Sequence, residues 1–371
     1  MKNNYLNYQV ALTLLEGVGA VKAKALLAYV GNVEDIFNSK LNLRTSIPGF
    51  AKERYRMLNR EGALQKAAEI VQFVEKNDLD TTFYTEKRYP KRLKECMDAP
   101  MLLYHKGDID LNYKYTIAIV GTRNMTSYGK QIINELIYAI ADCNIQIISG
   151  LALGVDGYVH QKCLEVGIPT IGVLGHGLDR LYPSSHRKLA SKMLNTQGCG
   201  LLTEFPNGTN PDKENFPQRN RIVAGMADAT IVIESDIKGG SLITANLAND
   251  YNRDVFAYPG NVFQRFSKGC NQLIAQNKAQ IITCGKDLIE IMGWEEGNTT
   301  KNIIQTNLFE GLNGDEKLVV STIQEFEAIS LDSIALRLQK PVNLLSSLLL
   351  GLELKGLVLS LPGKKYSLNG I

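Results

Sequence analysis

Residues 115–156 read YTIAIVGTRNMTSYGKQIINELIYAIADCNIQIISGLALGVD and contain two apolar runs separated by a helical pattern. The runs Tyr115–Val120 and Ile145–Ile148 are almost continuously apolar, as are strands buried on both faces of a parallel sheet. Between them, Gly129–Cys143 has the apolar spacing of a helix. Each run ends in a glycine-containing loop. The stretch therefore predicts a strand–helix–strand unit whose loops lie at the carboxyl edge of a parallel sheet, where ligands bind in such folds.

Three further apolar runs continue this pattern toward the C-terminus: Thr170–Leu174, Thr230–Glu234 and Val255–Ala257. Strand-like and helix-like segments alternate from about residue 77 to residue 295, which is typical of a sheet covered by helices. We therefore predict the α/β fold class, with an extended Rossmann-like parallel sheet as a core domain at 77–295.

Residues 1–76 have helical spacing of apolar residues throughout and predict a small all-α N-terminal domain. Within it, Leu15–Lys22 (LEGVGAVK) looks like the turn of a helix-hairpin-helix motif, and Ser46–Phe50 repeats the pattern weakly. Such a turn can offer backbone N–H groups to a DNA phosphate. Simple packing of a small helical domain is the competing interpretation, and both stay open.

The C-terminal part begins with a polar segment at 296–312, which predicts a linker, followed by a compact domain at 313–371. Asp332 is expected to cap a first helix, and a second helix is expected to run from after Pro341 to Gly356. A hairpin with Pro362 and Gly363 in its turn follows, which completes a winged-helix pattern. Because the second helix is rich in leucine and poor in basic residues, a protein-binding or regulatory role is as plausible as DNA reading.

The composition is that of an ordinary globular protein, with 371 residues, 44% hydrophobic and 21% charged. The formal net charge of +3 is small, so any nucleic-acid binding has to come from local clusters of basic residues. The N-terminus lacks a signal-peptide pattern, and no apolar run approaches the roughly 18 residues of a membrane span. Six cysteines without a C-x-x-C pair argue against a zinc site or a disulfide framework. We expect a cytoplasmic protein that does not enter a membrane.

The loop after the first strand, Gly121–Arg123, has the residues of an anion site. Small residues allow backbone N–H groups to approach an anion, and Arg123 can form a bidentate pair with a phosphate. Gly239–Ser241 presents N–H groups at the start of another predicted helix. Each loop also has a plain structural interpretation, as a tight turn with a surface arginine and as a serine N-cap with glycines in the turn.

The segment 212–221, DKENFPQRNR, combines basic residues with an aromatic side chain. Proteins hold single strands by stacking bases on exposed aromatic rings that are flanked by phosphate-binding cations. Phe216, flanked by Lys213 and Arg219, fits that pattern. The alternative is a structural loop with Phe216 in the core and the arginines paired with carboxylates.

The sequence lacks the common catalytic and nucleotide-binding motifs. It contains no G-x-x-x-x-G-K-[ST], no G-x-S-x-G and no H-E-x-x-H, and its four histidines form no convincing acid–base pair. Asp156 and His160 could share one helix face, but no third metal ligand is evident, so a helix-stabilising carboxylate and a packed histidine are preferred. We predict no catalytic residue, no cofactor and no metal.

Seven motifs in fixed order resemble those of the DNA-processing protein A (DprA/Smf) family: VGTR, SGLALGVDGYVH, PTIGVLGHGLDRLYP, LLTEFPNG, FPQRNRIVAG, IVIESDIKGGSLITA and VFAYPGN. The resemblance runs from about Tyr89 to Trp294. It implies an extended Rossmann fold with a sterile-alpha-motif-like N-terminal domain and often a winged-helix C-terminal domain. It also implies dimers that bind single-stranded DNA and load the RecA recombinase during natural transformation.

The same resemblance assigns site residues. Arg123 is similar to the phosphate-binding arginine of the family's G-[ST]-R loop, and Lys213 and Phe216 resemble its lysine and stacking aromatic. The predicted nucleic-acid-binding residues are Gly121, Thr122, Arg123, Lys213, Phe216, Arg219, Asn220, Arg221, Gly239, Gly240 and Ser241.

Three places depart from the family pattern, and the slightest departure is Gly240 in IKGGSL, where the order K-S-G-S-L is commoner. Ser184–His186 stand after Tyr182-Pro183, where many members carry a lysine followed by Glu-Asn, and Leu153 stands where many have a lysine. A DNA contact just after Pro183 therefore stays open.

The sequence as a whole predicts a single-stranded DNA-binding recombination mediator that is not an enzyme. One alternative is a nucleotide or nucleoside-phosphate hydrolase on the same platform, with Asp156 or Glu204 as its acid–base group. Another is a regulator that binds only proteins, through the winged helix.

Overall fold

The computed structural model describes residues 2–37, 58–294, 312–324, 326, 328–355, 357–361 and 363–368. The chain divides into two compact units, Met1–Gly297 and Asn298–Ile371. The mixed α/β first unit and the C-terminal winged helix confirm the predicted fold class. The predicted domain boundaries stay predictions.

The described N-terminal residues are helical, as their apolar spacing predicts. The helices are α1 (Lys2–Thr13), α2 (Ala20–Val30), α3 (Val33–Phe37) and α4 (Arg60–Lys76). Their buried faces share one cluster with Phe83, Leu102 and Tyr104 of the neighbouring sheet. The helices are therefore packed onto the sheet edge and do not enclose a separate core.

The turn between α1 and α2 contains the Leu15–Lys22 segment. Val18 N donates to Leu15 O at 3.1 Å, and α2 begins after Gly19. The second predicted hairpin, Ser46–Phe50, lies outside the described residues.

A mixed nine-stranded sheet forms the centre of the first unit. Its strands are β1 (Asp80–Phe83), β2 (Leu102–Gly107), β3 (Tyr115–Val120), β4 (Ile145–Ser149), β5 (Thr170–Val173), β6 (Gly200–Thr203), β7 (Ala229–Val232), β8 (Asp254–Ala257) and β9 (Gln280–Ile281). Their order is β1-β2-β6-β5-β4-β3-β7-β8-β9. Going across the sheet in this order, every neighbouring pair from β6 through β3 to β9 is parallel. At the other edge, β2 pairs antiparallel with β6, and β1 pairs antiparallel with β2.

Helices cover both faces of this sheet. In chain order they are α5 (Lys91–Lys94), α6 (Ser127–Ala139), α7 (Val155–Val166), α8 (Arg187–Leu194), α9 (Asn215–Gly225), α10 (Gly240–Asp250), α11 (Lys268–Ala275) and α12 (Gly285–Met292). Successive residues of β3 point to opposite faces: Ile117 and Ile119 pack with α6 and α7, and Ala118 and Val120 pack with α9 and α10. Burial on both faces explains the almost continuous apolar runs.

The strand order reverses direction at β3 and β7, which creates a crevice at their carboxyl ends. Glu234, just after β7, holds the two loops together. Its carbonyl accepts Thr122 N at 2.8 Å, and its buried carboxylate accepts Thr126 N at 2.9 Å and Thr126 Oγ1 at 2.6 Å. The loop after β3 is therefore fixed to the adjacent strand end.

The second unit has the winged-helix pattern. It contains α13 (Gly314–Gln324), β10 (Ile329–Ser330), α14 (Leu331–Leu338), α15 (Val342–Leu354), β11 (Val358–Leu361) and β12 (Lys365–Leu368). The prediction that Asp332 caps α14 was wrong. Ser330 is the cap, and its Oγ accepts Ser333 N at 3.2 Å, whereas Asp332 lies inside the first turn.

The start of α7 depends on a glycine that touches the loop after β3. Gly154 has a φ of +76°, and a Cβ there would lie 2.6 Å from the backbone carbon and oxygen of Arg123. Gly167, at the other end of α7, has a φ of +81° but open space around it. We expect Gly167→Ala to lower the free energy of unfolding by about 1–2 kcal/mol, because of its left-handed backbone. Gly154→Ala should cost about 1–3 kcal/mol more, because it adds an overlap.

Urea unfolding followed by circular dichroism measures both variants. Equal losses of stability would show that the loop after β3 does not press against the start of α7.

Candidate nucleic-acid interface

A groove of about 710 Å³ lies at the carboxyl ends of the parallel strands. Its walls come from the loops after β3, β4 and β7 and from the start of α9. Ten of the predicted site residues line it: Gly121, Thr122, Arg123, Lys213, Phe216, Arg219, Asn220, Gly239, Gly240 and Ser241. The topology therefore brings together loops that are more than a hundred residues apart in sequence.

Arg221 does not line this groove. Its guanidinium donates to the carboxylate of Glu204 and to the carbonyl of Asp98. Burial raises the pKa of Glu204, and the charge of Arg221 opposes that shift. Arg221 and Glu204 thus form a partly buried ion pair on another side of α9.

Arg123 extends from the loop after β3 and is exposed. Its guanidinium carbon lies 5.3 Å from the centroid of the Phe216 ring, within cation–π distance. Gly121 allows the loop to lie close to α7, because a Cβ there would be 2.5 Å from the Val155 side chain. The exposed cation is thus presented beside an aromatic ring.

Phe216 is half-buried in the groove wall and is not part of the central core. The ring of Tyr182 lies 6.0 Å away, tilted by 40°, and 46% of Tyr182 is exposed. Gly175 makes room for Phe216, since a Cβ at Gly175 would lie 3.0 Å from the ring. The groove therefore contains two neighbouring aromatic side chains, and polar residues line the groove around them.

Tyr182 was not among the predicted site residues. It sits in an irregular loop after β5, and the loop is tied to buried His176, whose Nε2 accepts Tyr182 N at 3.2 Å. Since a main-chain N–H can only donate, Nε2 is unprotonated in this arrangement, and Nδ1 donates to Gly177 O at 2.9 Å. Only the aromatic residue type in the RLYP motif could have indicated Tyr182 from sequence.

Arg219 is almost fully buried, unlike Arg123. Its guanidinium donates to the carbonyl oxygens of Gly150 and Val173 at the ends of β4 and β5. Burial lowers the pKa of Arg219, and the negative charge of Asp156 opposes that shift. Arg219 Nε also donates to Asn220 Oδ1 at 3.1 Å. Arg219 therefore holds the floor of the groove together.

The Gly239–Ser241 turn begins α10, and Gly239 is its N-cap. The hydroxyl of Ser241 is buried and donates to Ser235 Oγ at 2.8 Å, so it does not cap the helix. First-turn N–H groups of a helix have no intrahelical partner and attract anions. The turn can therefore offer the amides of Gly240 and Ser241 to a phosphate.

Arg265 and Phe266 also line the groove, although they were not predicted. Arg265 Nε lies 2.6 Å from Asp236 Oδ2, and this hydrogen bond holds the pKa of Asp236 below its ordinary value. In the sequence, the basic residues of 262–268 (VFQRFSK) are the pattern that could have indicated this part of the groove.

Asp156, which was named for the hydrolase alternative, and His160, which was considered with it as a metal pair, are both buried and already have partners. Asp156 accepts Ala152 N at 3.3 Å, and burial raises its pKa while Arg219 opposes the shift. His160 is buried against Thr170 Oγ1 at 2.7 Å, and burial lowers the pKa of His160 to about 3. Within the described ranges, no cluster of three or more His, Cys, Asp or Glu side chains could hold a metal ion.

A sheet with a topological switch point, and a groove of exposed cations, aromatic rings and helix-start amides at that point, define a Rossmann-like protein with a candidate anion-binding site. The family model for DNA recombination-mediator protein A matches residues 80–293, and the model for the DprA winged helix domain matches residues 310–364. The chain belongs to the DNA-processing protein A (DprA/Smf) family.

Individual relatives agree with this assignment. Protein Smf of Synechocystis is 31% identical, over 99% of both chains, and DNA processing protein DprA of Bacillus subtilis is 41% identical, over 57% of this chain and 71% of its own length. The X-ray structure of DNA processing protein A from Streptococcus pneumoniae matches with a TM-score of 0.64 and 33% identity, covering 78% of this chain and 98% of that one.

A structure of DNA processing protein A from Helicobacter pylori, described for its unique single-stranded DNA binding mode, matches with a TM-score of 0.53 and 30% identity. It covers 58% of this chain and 97% of its own. Among the residues that the structure describes, no helix has the length and apolarity needed to cross a membrane.

Two arginines of the groove should respond differently to substitution. Arg219→Met should lower the free energy of unfolding by about 3 kcal/mol, because it leaves two buried carbonyls and the charge of Asp156 without their partner. Arg123→Ala should cost at most about 1 kcal/mol, the size of an exposed cation–π contact. Thermal unfolding of both variants measures the difference, and similar losses would contradict the assignment of Arg219 as a buried tie.

Proposed function

We propose that the chain binds single-stranded DNA in the groove and acts as a recombination mediator, without making or breaking a covalent bond. The observation that carries this proposal is the exposed guanidinium of Arg123 above the ring of Phe216, 5.3 Å from its centroid, beside Tyr182. A cation next to an aromatic face can bind a phosphate and stack the adjacent base at the same time.

Single strands fit this site better than a duplex does. The faces of bases are free for stacking only when the strands are separated, and the aromatic pair is set into a groove wall. The relatives support the same ligand, because the H. pylori protein is described for its single-stranded DNA binding mode.

The roles follow from exposure. Exposed Arg123 and Lys213 contact phosphates, and half-buried Phe216 stacks a base. The loop Gly121-Thr122 and the turn Gly239–Ser241 supply backbone amides. Arg219 and Asn220 position the groove floor. Arg221, paired with Glu204, stabilises α9 and does not touch the strand.

The finer proposal is that this chain works as a cytoplasmic homodimer and loads RecA onto incoming strands during natural transformation. It rests on the membership of the family whose model is described as a DNA recombination mediator. The hydrolase alternative has less support, since Asp156 is buried and accepts a hydrogen bond from Ala152 N, and half-buried Glu204 is paired with Arg221.

Binding is tested by fluorescence anisotropy with labelled poly-dT and a matched duplex at several salt concentrations. We expect the wild type to bind the single strand much more tightly than the duplex. Arg123→Ala should weaken binding and reduce the slope of log K against log salt by about 0.7, the value for one phosphate of a single strand. Lys66→Ala, which removes the same charge from the exposed surface of α4, is the matched control.

An unchanged salt slope in Arg123→Ala would remove the phosphate role of Arg123. Failure of the wild type to bind poly-dT at low salt would contradict the proposed function itself.

The proposed loading of RecA is tested separately from DNA binding. We expect the wild type to accelerate the single-strand-dependent ATPase of RecA on strands that are precoated with single-strand-binding protein. Arg123→Ala should lose most of this effect, because loading requires the mediator to hold the strand. Tight strand binding without any acceleration would leave a DNA-binding protein that is not a RecA mediator.

A further inference from the structure

The loop after β8 presents an aromatic side chain that the proposed site does not use. Phe263 is 89% exposed and its neighbour Val262 is 64% exposed. Removing an aromatic ring from water is favourable, so a ring held almost completely in solvent often marks a contact surface.

Hydrogen bonds fix the course of this loop. Asn261 Oδ1 accepts Phe263 N at 2.9 Å, and Asn261 O accepts Gln264 N at 3.0 Å. Gly260 and the side chain of Asn271 exchange hydrogen bonds of 3.1 and 2.9 Å. Tyr128 Oη donates to Pro259 O at 2.5 Å. The exposure of Phe263 is thus set by the fold of the loop around it.

Phe263 is close to the groove along the chain. Arg265 and Phe266 line the groove, and Phe263 precedes Arg265 by two residues, which is at most about 7 Å of backbone. Lys268 is also exposed at the start of α11. With Asp236 offsetting the charge of Arg265, this rim keeps a net positive charge next to the exposed ring.

We propose that Phe263 is a second base-stacking site, which holds a single strand where it leaves the groove. The inference rests on the proposed function and lengthens the binding path from the Phe216 side to the rim formed by Phe263, Arg265 and Lys268. The exposed ring has Val262 on one side and polar and basic residues on the other, and a single ring matches the size of a base. A stable protein interface, by contrast, needs about 1,200–2,000 Å² of buried surface, which is much more than one side chain provides.

The test compares short and long single strands. A dT oligomer of roughly 5 nucleotides should occupy the groove alone, and one of roughly 20 should also reach the rim. Phe263→Ala should weaken binding of the long strand by about tenfold and leave binding of the short strand unchanged. Phe216→Ala should weaken both, because every strand crosses that ring.

Two conservative variants separate stacking from general apolarity. Phe263→Trp keeps an aromatic face and should keep the affinity for the long strand, whereas Phe263→Leu should behave like Phe263→Ala. The indole introduced by Phe263→Trp should be quenched by the long strand and not by the short one. All three variants should unfold at the wild-type temperature, because the side chain is exposed.

Several results would overturn the inference. One is equal affinity of wild type and Phe263→Ala for both strands while Phe216→Ala is impaired; this leaves the proposed function intact. Another is a loss of affinity that coincides with a change in oligomeric state by light scattering, which would assign Phe263 to a protein interface. If the wild type binds neither strand, the proposed function fails first and this inference fails with it.

Discussion

The groove depends on the buried guanidinium of Arg219. Parallel strands that end at one edge leave carbonyl oxygens that the sheet no longer satisfies, and a buried carbonyl without a partner costs about 1–3 kcal/mol. Arg219 satisfies two of them, at Gly150 and Val173, and so links the ends of β4 and β5. Gly150 leaves room for this guanidinium, since a Cβ there would lie 2.5 Å from it. On the other side of β3, the carboxylate of Glu234 holds Thr126 in a comparable way.

The two arginines of the groove show how exposure separates structure from binding. Desolvation of a buried cation is costly, and Arg219 tolerates it because carbonyls and Asp156 surround it. A cation that is already satisfied has little left for a ligand. Arg123 has its charge in solvent over one face of Phe216, so it keeps its capacity to bind a phosphate. Arg219 therefore serves the fold by holding the groove floor together, whereas the guanidinium of Arg123 stays available to a ligand.

Helix periodicity explains which part of the site could be predicted from the sequence. Phe216, Arg219, Asn220 and Val223 line the groove, at the i, i+3, i+4 and i+7 positions of one helix face. Arg221 is two residues from Arg219 and so faces another way, which motif matching alone does not reveal.

The apolar runs predicted the parallel strands because burial on both faces demands them. The antiparallel edge strand β1 was missed because its sequence, DTTF, is short and three of its four residues are polar. Tyr182 was missed because its position depends on a tertiary contact with His176.

The C-terminal unit carries different chemistry from the groove. Helix α15, in the place of a recognition helix, contains no lysine or arginine, and Leu344, Leu350 and Leu354 are exposed on it. Lys355, just after it, lies 2.8 Å from Glu316 Oε1 and is thereby paired. Reading base edges in a major groove requires side chains such as Arg, Lys, Asn and Gln, of which α15 offers only Asn343. Helix α15 therefore offers little chemistry for reading bases, whereas exposed cations, aromatic rings and helix-start amides occur together at the switch point of the sheet.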